Sequence, residues 1–224
     1  DVCVNITSNL IDVNITRCPQ FNKNATLQLS NLSFQFAPVP RVNGSVCRDC
    51  NITSYVGGVF VFNVSHFSSY SAGPNTNLTI VDDTDAVARV AYQSVRFVAN
   101  FSNATSGASI NGSTVGCNMS LNISGAGPYE VMPFISSSRV YELNRSINTT
   151  GNFSYTVVCD GSAQSYESLN ATDALNITQD ITVPTIVLNS PANLSSTTDS
   201  NFIRFNYTVN DNSGSLANCS LLIN

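Results

Sequence analysis

Cys117-Asn118-Met119-Ser120-Leu121-Asn122-Ile123-Ser124 decides how this chain folds. Its apolar residues Cys117, Met119, Leu121 and Ile123 alternate with Asn118, Ser120, Asn122 and Ser124. A period of two places the two sets on opposite faces of an extended strand. The polar face also spells Asn-x-Ser twice, the acceptor triplet for N-linked glycans. A strand that turns Met119 and Ile123 toward a core therefore turns its acceptor asparagines toward solvent, where a glycan can be attached.

The same triplet recurs along the whole chain. Of the 29 asparagines, 21 stand in Asn-x-Ser/Thr, against roughly six expected from the Ser and Thr content alone. They are Asn5, Asn14, Asn24, Asn31, Asn43, Asn51 and Asn63 in the first third, then Asn77, Asn100, Asn103, Asn111, Asn118, Asn122, Asn144, Asn148, Asn152, Asn170 and Asn176, and finally Asn193, Asn206 and Asn218. In 17 of them the middle residue is apolar, which is the polar-apolar-polar signature of a half-buried strand.

Working outward, Val95, Phe97, Ala99 and Phe101 alternate with Arg96, Val98 and Asn100, and Phe153, Tyr155, Val157 and Cys159 alternate with Asn152, Ser154 and Thr156. Cys117 and Cys159 thus face inward from two strands. They are expected to form a core disulfide, worth about 3 to 4 kcal/mol for a loop of about 40 residues. Helical periodicity is weak everywhere and turn residues recur at short intervals, which predicts an all-β chain of sandwiches. One sandwich is placed at 76–183, after the turn-like Gly73-Pro74-Asn75 and before Pro184.

Residues 184–224 repeat part of that unit. Ile203, Phe205, Tyr207 and Val209 resemble the strand from Val95 to Phe101, and Cys219, Leu221 and Ile223 match Cys117, Met119 and Leu121. By that register a partner for Cys219 falls beyond Asn224, so Cys219 is expected to be unpaired or intermolecular. The segment is expected to be a partial sandwich. Its apolar face would be completed by continuing polypeptide or by a strand from a neighbouring copy.

Residues 1–75 read as a further β region, either a domain of its own or the end of a larger one. Parity puts Cys3 and Cys18 on the sequon-bearing side and favours their pairing. Leu27 and Leu29 change phase to Leu32, Phe34 and Phe36, which predicts a bulge or turn near Ser30-Asn31, and Pro38 and Pro40 then break the pattern. Gly57-Gly58 between Tyr55-Val56 and Val59–Val64 predicts a two-residue hairpin.

Composition narrows the functions. Charged residues are only 10%, the net charge is −5, and no cluster of Lys and Arg exists, so the footprint of a nucleic-acid binder is missing. No apolar run reaches the length of a membrane helix, and Asp1 opens directly on strand-like sequence without a leader, so the chain reads as a mature extracellular piece. Seven cysteines point to an oxidising compartment and to disulfides.

Leu188-Asn189-Ser190-Pro191-Ala192-Asn193, Phe205-Asn206-Tyr207-Thr208-Val209-Asn210-Asp211 and Asn218-Cys219-Ser220-Leu221 resemble the immunoglobulin-like repeats of large archaeal cell-surface proteins. Cys117–Asn122, Tyr155–Cys159 and Phe60–Tyr70 are similar to strands of related repeats. The resemblance covers about residues 76–224 and implies extracellular modules of surface layers, stalks or filaments, often N-glycosylated, with no catalytic residues. The chain departs from antibody-type domains in having no Trp and in placing Val157, not Tyr, two residues before Cys159. On third and sixth strands, Cys117 and Cys159 would be neighbours within one sheet.

Other candidate sites have plainer readings. Cys47-Arg48-Asp49-Cys50 has redox or zinc spacing, but no helix follows and no second pair faces it, which favours a local disulfide. His66, the lone histidine, continues the alternation of Phe60, Phe62 and Val64 and reads as structural. Asp82, Asp83 and Asp85 form a solvated turn or, as the alternative, a calcium loop. Glu130, Glu142 and Glu167 are isolated in sequence and give no glycosidase pair. No catalytic residue and no cofactor beyond covalent N-glycans is expected. The expected function is a structural subunit of a glycosylated filament or surface layer, with an adhesin or carbohydrate-binding module as the alternative on the same scaffold.

Overall fold

The computed structural model describes residues 2–85, 87–125, 127–196, 202–212, 216 and 218–222. The chain is all-β, with two single-turn 3-10 segments and no α-helix among the described residues. Its strands build tandem immunoglobulin-like sandwiches, and after Thr178 the described residues hold a single further strand pair.

The first sandwich contains β1 (Val4–Thr7), β2 (Leu10–Val13), β3 (Ala25–Leu29), β4 (Val39–Val42), β5 (Ser45–Val46), β6 (Asn51–Val56), β7 (Val59–Val64) and β8 (Ser69–Gly73). One sheet runs β1-β2-β8-β4-β5 and the other β3-β7-β6. Between them Leu27, Leu29, Phe60, Phe62 and Val64 meet Ile11, Val13, Tyr70 and Ala72, the inward positions that period-two alternation selects. Residues 1–75 therefore hold a core of their own. Gly57 and Gly58 turn β6 into β7 with φ of 58° and 76°, the mirror-image turn that matches strand twist.

Four local readings need correction here. Residues 14–17 form a turn, with Asn14 Oδ1 accepting from Arg17 N at 3.0 Å, so parity is not what brings Cys18 to Cys3. The turn near Ser30-Asn31 is present, with Asn31 at φ 60°, but Leu32 to Phe36 beyond it lie in a loop and form no strand. Pro40 sits inside β4. Its carbonyl accepts from Cys47 N at 2.8 Å, and its protonless nitrogen faces the same side, beyond the end of the two-residue β5, where no ladder bond is required. His66 is exposed past the end of β7, its Nδ1 3.0 Å from Ser65 Oγ, because the strand stops at Val64.

The second sandwich contains β9 (Thr76–Asp82), β10 (Arg89–Val90), β11 (Ser94–Asn103), β12 (Gly116–Asn122), β13 (Glu130–Met132), β14 (Phe134–Ile135), β15 (Val140–Ser146), β16 (Gly151–Asp160) and β17 (Leu169–Thr178). Its sheets run β14-β15-β11-β9 and β10-β17-β16-β12-β13, an immunoglobulin-like order in which the leading segment is shared between both sheets. Val95, Phe97, Ala99 and Phe101 of β11 are buried against Cys117, Met119, Tyr155, Val157 and Cys159. Phe97 and Tyr155 meet edge to face across the sheets with ring centroids 4.8 Å apart, a geometry that aromatic quadrupoles favour.

Glu167 fastens the two sandwiches. Its carboxylate accepts from Phe36 N at 2.8 Å, its own N–H donates to Asn75 Oδ1 at 2.9 Å, and its carbonyl accepts from Thr76 Oγ1 at 3.0 Å. After β17 the described chain adds one antiparallel pair, β18 (Thr185–Ser190) with β19 (Asn206–Asn210). The strand expected from Ile203 begins only at Asn206. Leu216 and 218–222 lie outside strands, and Ile223 lies outside the described residues.

Candidate functional site

All 21 sequon asparagines are described and none is buried. Nineteen are exposed, and Asn103 and Asn118 are half-buried. On the strands the geometry follows the alternation: Asn63 is exposed beside buried Val64, Asn100 beside buried Phe101, and Asn176 beside buried Ile177. The two half-buried sites have local causes. Asn103 Oδ1 accepts from Thr105 N and Ser106 N at 2.9 and 2.8 Å, folding the side chain back onto its own turn. Asn118 is flanked by Val131 and Val158 on both neighbouring strands. The inward reading of the middle residue fails at Ile6, Ile52, Leu194, Tyr207 and Cys219, which are exposed. Ile6 and Ile52 belong to edge strands, where no second neighbour covers the residue, and Leu194 stands in a loop at φ 62°.

Three disulfides are formed: Cys3–Cys18, Cys47–Cys50 and Cys117–Cys159. Cys117 and Cys159 are register partners on β12 and β16, fully buried, with Cα atoms 4.0 Å apart. They staple one sheet to itself, whereas the antibody-type bridge crosses between sheets. Cys47 and Cys50, being bonded to each other, offer no thiolates for zinc. Cys219 is a free, exposed thiol, and the inward orientation expected for it is not found. Three disulfides fit an oxidising compartment such as the cell exterior.

The acidic residues sort by partner. Glu130 pairs with Arg145 at 2.8 Å and Glu142 with Arg96 at 2.6 Å, while Glu167 holds the junction. Of the loop carboxylates, Asp83 is turned away into an ion pair with Arg89 at 2.6 Å. Asp82 and Asp85 instead converge with Asp173 of β17, one oxygen from each lying within 4.8 Å of the others. Asp82 is only 6% exposed. Its Oδ1 accepts from Thr84 N at 2.7 Å, while its Oδ2 is buried with no hydrogen-bond partner. Burial pushes the Asp82 carboxyl above its usual range. The Thr84 hydrogen bonds oppose the rise, and the Asp85 and Asp173 charges add to it. Tyr155, whose hydroxyl lies 3.5 Å from Asp173 Oδ2, is also pushed up, first by burial and then by Asp82, Asp173 and Asp85. Asp173 was invisible to a reading of the loop alone, since only the packing of one sheet on the other brings β17 alongside Asp82.

The β18–β19 pair is uncovered on both faces, and one of them is apolar. Register sets Ile186 opposite Val209 and Leu188 opposite Tyr207, so the four side chains share a face. Ile186, Leu188 and Tyr207 are 65%, 50% and 44% exposed. On the other face Asn189 Nδ2 donates to Thr208 Oγ1 at 2.7 Å. A hydrogen bond from Gln93 Nε2 to Asn212 O at 2.6 Å links this segment to the central sandwich.

No protein-family model matches the chain, and no curated protein matches it. Among solved structures it is similar to a Corynebacterium diphtheriae protein described as membrane anchored, at 9% identity and a TM-score of 0.38. The match covers 83% of this chain and 57% of that one, so the chain spans less than two thirds of its neighbour's length. No helix among the described residues is long and apolar enough to cross a membrane.

Proposed function

We propose that this chain is a structural, non-enzymatic module of a densely N-glycosylated extracellular filament or surface layer. Sandwich cores held by disulfides bear load. Glycans on the outward asparagines sheath the strand edges against proteases and sideways pairing. The uncovered β18–β19 face joins one module to the next, covered either by a strand from a neighbouring copy or by the continuing polypeptide. A head-to-tail contact of this kind is heterologous and generates open filaments where it does not close into a ring.

The observation that carries this reading is the apolar quartet Ile186, Leu188, Tyr207 and Val209, aligned on one face with three of its members exposed. A two-stranded ribbon is marginal in water, so a covering element stabilises it. Sedimentation of the wild-type chain and of an Ile186→Asp, Leu188→Asp variant tests the reading. Both substitutions are at exposed positions of β18, away from the two sandwich cores, so the variant is expected to fold, which circular dichroism checks. The wild type is expected to form chains that lengthen with concentration and the variant to stay single. A wild-type chain that remains single at all concentrations, and gains no stability from a longer polypeptide, would contradict the proposal.

A further inference from the structure

We propose that Asp82, Asp85 and Asp173 form a calcium site that ties the two sheets of the central sandwich together. This goes beyond the assembly reading and does not depend on it. Two oxygens bound to one calcium at about 2.4 Å can be at most about 4.8 Å apart, and the three carboxylates place an oxygen each within 4.8 Å of one another. A surface acidic cluster alone would say little. Here Asp82 is more than nine-tenths buried and its Oδ2 has no donor. A buried carboxylate oxygen without a partner is costly to keep, and a cation at the convergence of the three groups removes that cost.

Charge and chemistry select the ion. The ion pairs among the described residues engage Asp83, Glu142 and Glu130, so no Lys or Arg neutralises Asp82, Asp85 or Asp173. The donors are hard oxygens without His or thiolate, which suits calcium over zinc. Asp85 is exposed and Asp173 half-buried, leaving room for water to complete a coordination of six to eight.

Placement gives the site its purpose. Asp82 ends β9 in one sheet, and Asp173 lies on β17 in the other. The one disulfide of this sandwich joins β12 to β16 within a single sheet. The ion supplies the cross-sheet tie that this disulfide does not.

The test uses the whole chain stripped with EGTA, then given calcium chloride at about 10 mM, above the ~10⁻⁴–10⁻³ M affinities of extracellular calcium modules. Equilibrium dialysis with radiolabelled calcium is expected to find an ion bound that Asp85→Asn and Asp173→Asn each lose. The melting temperature of the wild type is expected to rise by about 5 °C or more, with a smaller rise for magnesium. Both variants should melt near the stripped wild type and be unmoved by calcium. Asp85→Asn, at an exposed position, keeps the test valid even where Asp173→Asn folds poorly. Absence of bound calcium with an unmoved melting temperature would overturn the site. Retention of the shift in Asp85→Asn would equally overturn it, by placing the ion elsewhere.

Discussion

Gly57 and Gly58 occupy adjacent positions of one turn and differ in what surrounds them. A Cβ at Gly57 meets nothing within 4 Å, whereas at Gly58 it would lie 2.6 Å from the carbonyl oxygen of Leu32, which belongs to the loop that donates Leu32 N to Gly58 O at 3.0 Å. Gly57→Ala is therefore expected to cost about 1 kcal/mol for the left-handed backbone alone. Gly58→Ala should cost clearly more, because backbone must move as well; urea melts of the N-terminal sandwich compare the two. Asn103 and Asn118 differ from the other acceptors in a similar, local way. Site-resolved glycopeptide mass spectrometry is expected to find them the least occupied, and full occupancy at both would show that local burial does not limit the modification. The outward placement of most acceptors was legible in the sequence, because a triplet with an apolar centre carries its own parity. The turn that folds Asn103 back, and the arrival of Asp173 beside Asp82, were not. The first is a local turn that alternation does not specify, and the second depends on which strands face each other once the sheets pack.

At the scale of elements, the strand from Cys117 and the strand from Phe153 were readable because long uninterrupted alternation admits one register. Short or interrupted elements were not: Pro40 lies within a strand whose partner is too short to need its missing proton, and β19 starts three residues later than the apolar pattern. The inward cysteines pointed to a disulfide, and their expected place on neighbouring strands of one sheet is where the structure has them. Loop closure in the unfolded chain ranks the three bridges by their separations of 42, 15 and 3 residues. Paired Cys→Ala replacements are thus expected to destabilise in that order, with about 4 kcal/mol lost for Cys117 and Cys159; denaturant titration of each variant checks the ranking. The loop from β16 to β17 carries Glu167 and is shaped by Asp160, whose Oδ1 accepts from Ser162 N at 2.9 Å and Ser168 Oγ at 2.7 Å. These bonds, the Ser162 backbone first, hold the Asp160 carboxyl below its ordinary value of 3.8. A depressed carboxyl stabilises above the unfolded pKa, and that contribution is lost as pH falls through the folded one. The difference in melting temperature between wild type and Asp160→Asn is expected to be constant above about pH 5 and to shrink below the unfolded value. A difference that does not change with pH would contradict the assignment.

For the whole molecule, the same residues would write the fold and the proposed coat. An alternating strand buries one face and offers the other to sugars, so a chain with 10% charged residues can present a hydrophilic surface without many ionisable groups. The sandwiches are joined by short links, with β8 ending at Gly73 and β9 starting at Thr76, and Glu167 bonded to both sides of that link. In the proposed assembly such a connection would transmit force along the chain. The C-terminal pair, with its apolar face open, is where one unit meets the next in the proposed assembly. Electron microscopy of native material is the most direct test. The account predicts continuous glycan-coated fibres or sheets in which the β18–β19 face is covered by polypeptide beyond the residues of this chain. Single particles whose Ile186, Leu188 and Tyr207 side chains remain open to solvent would contradict it.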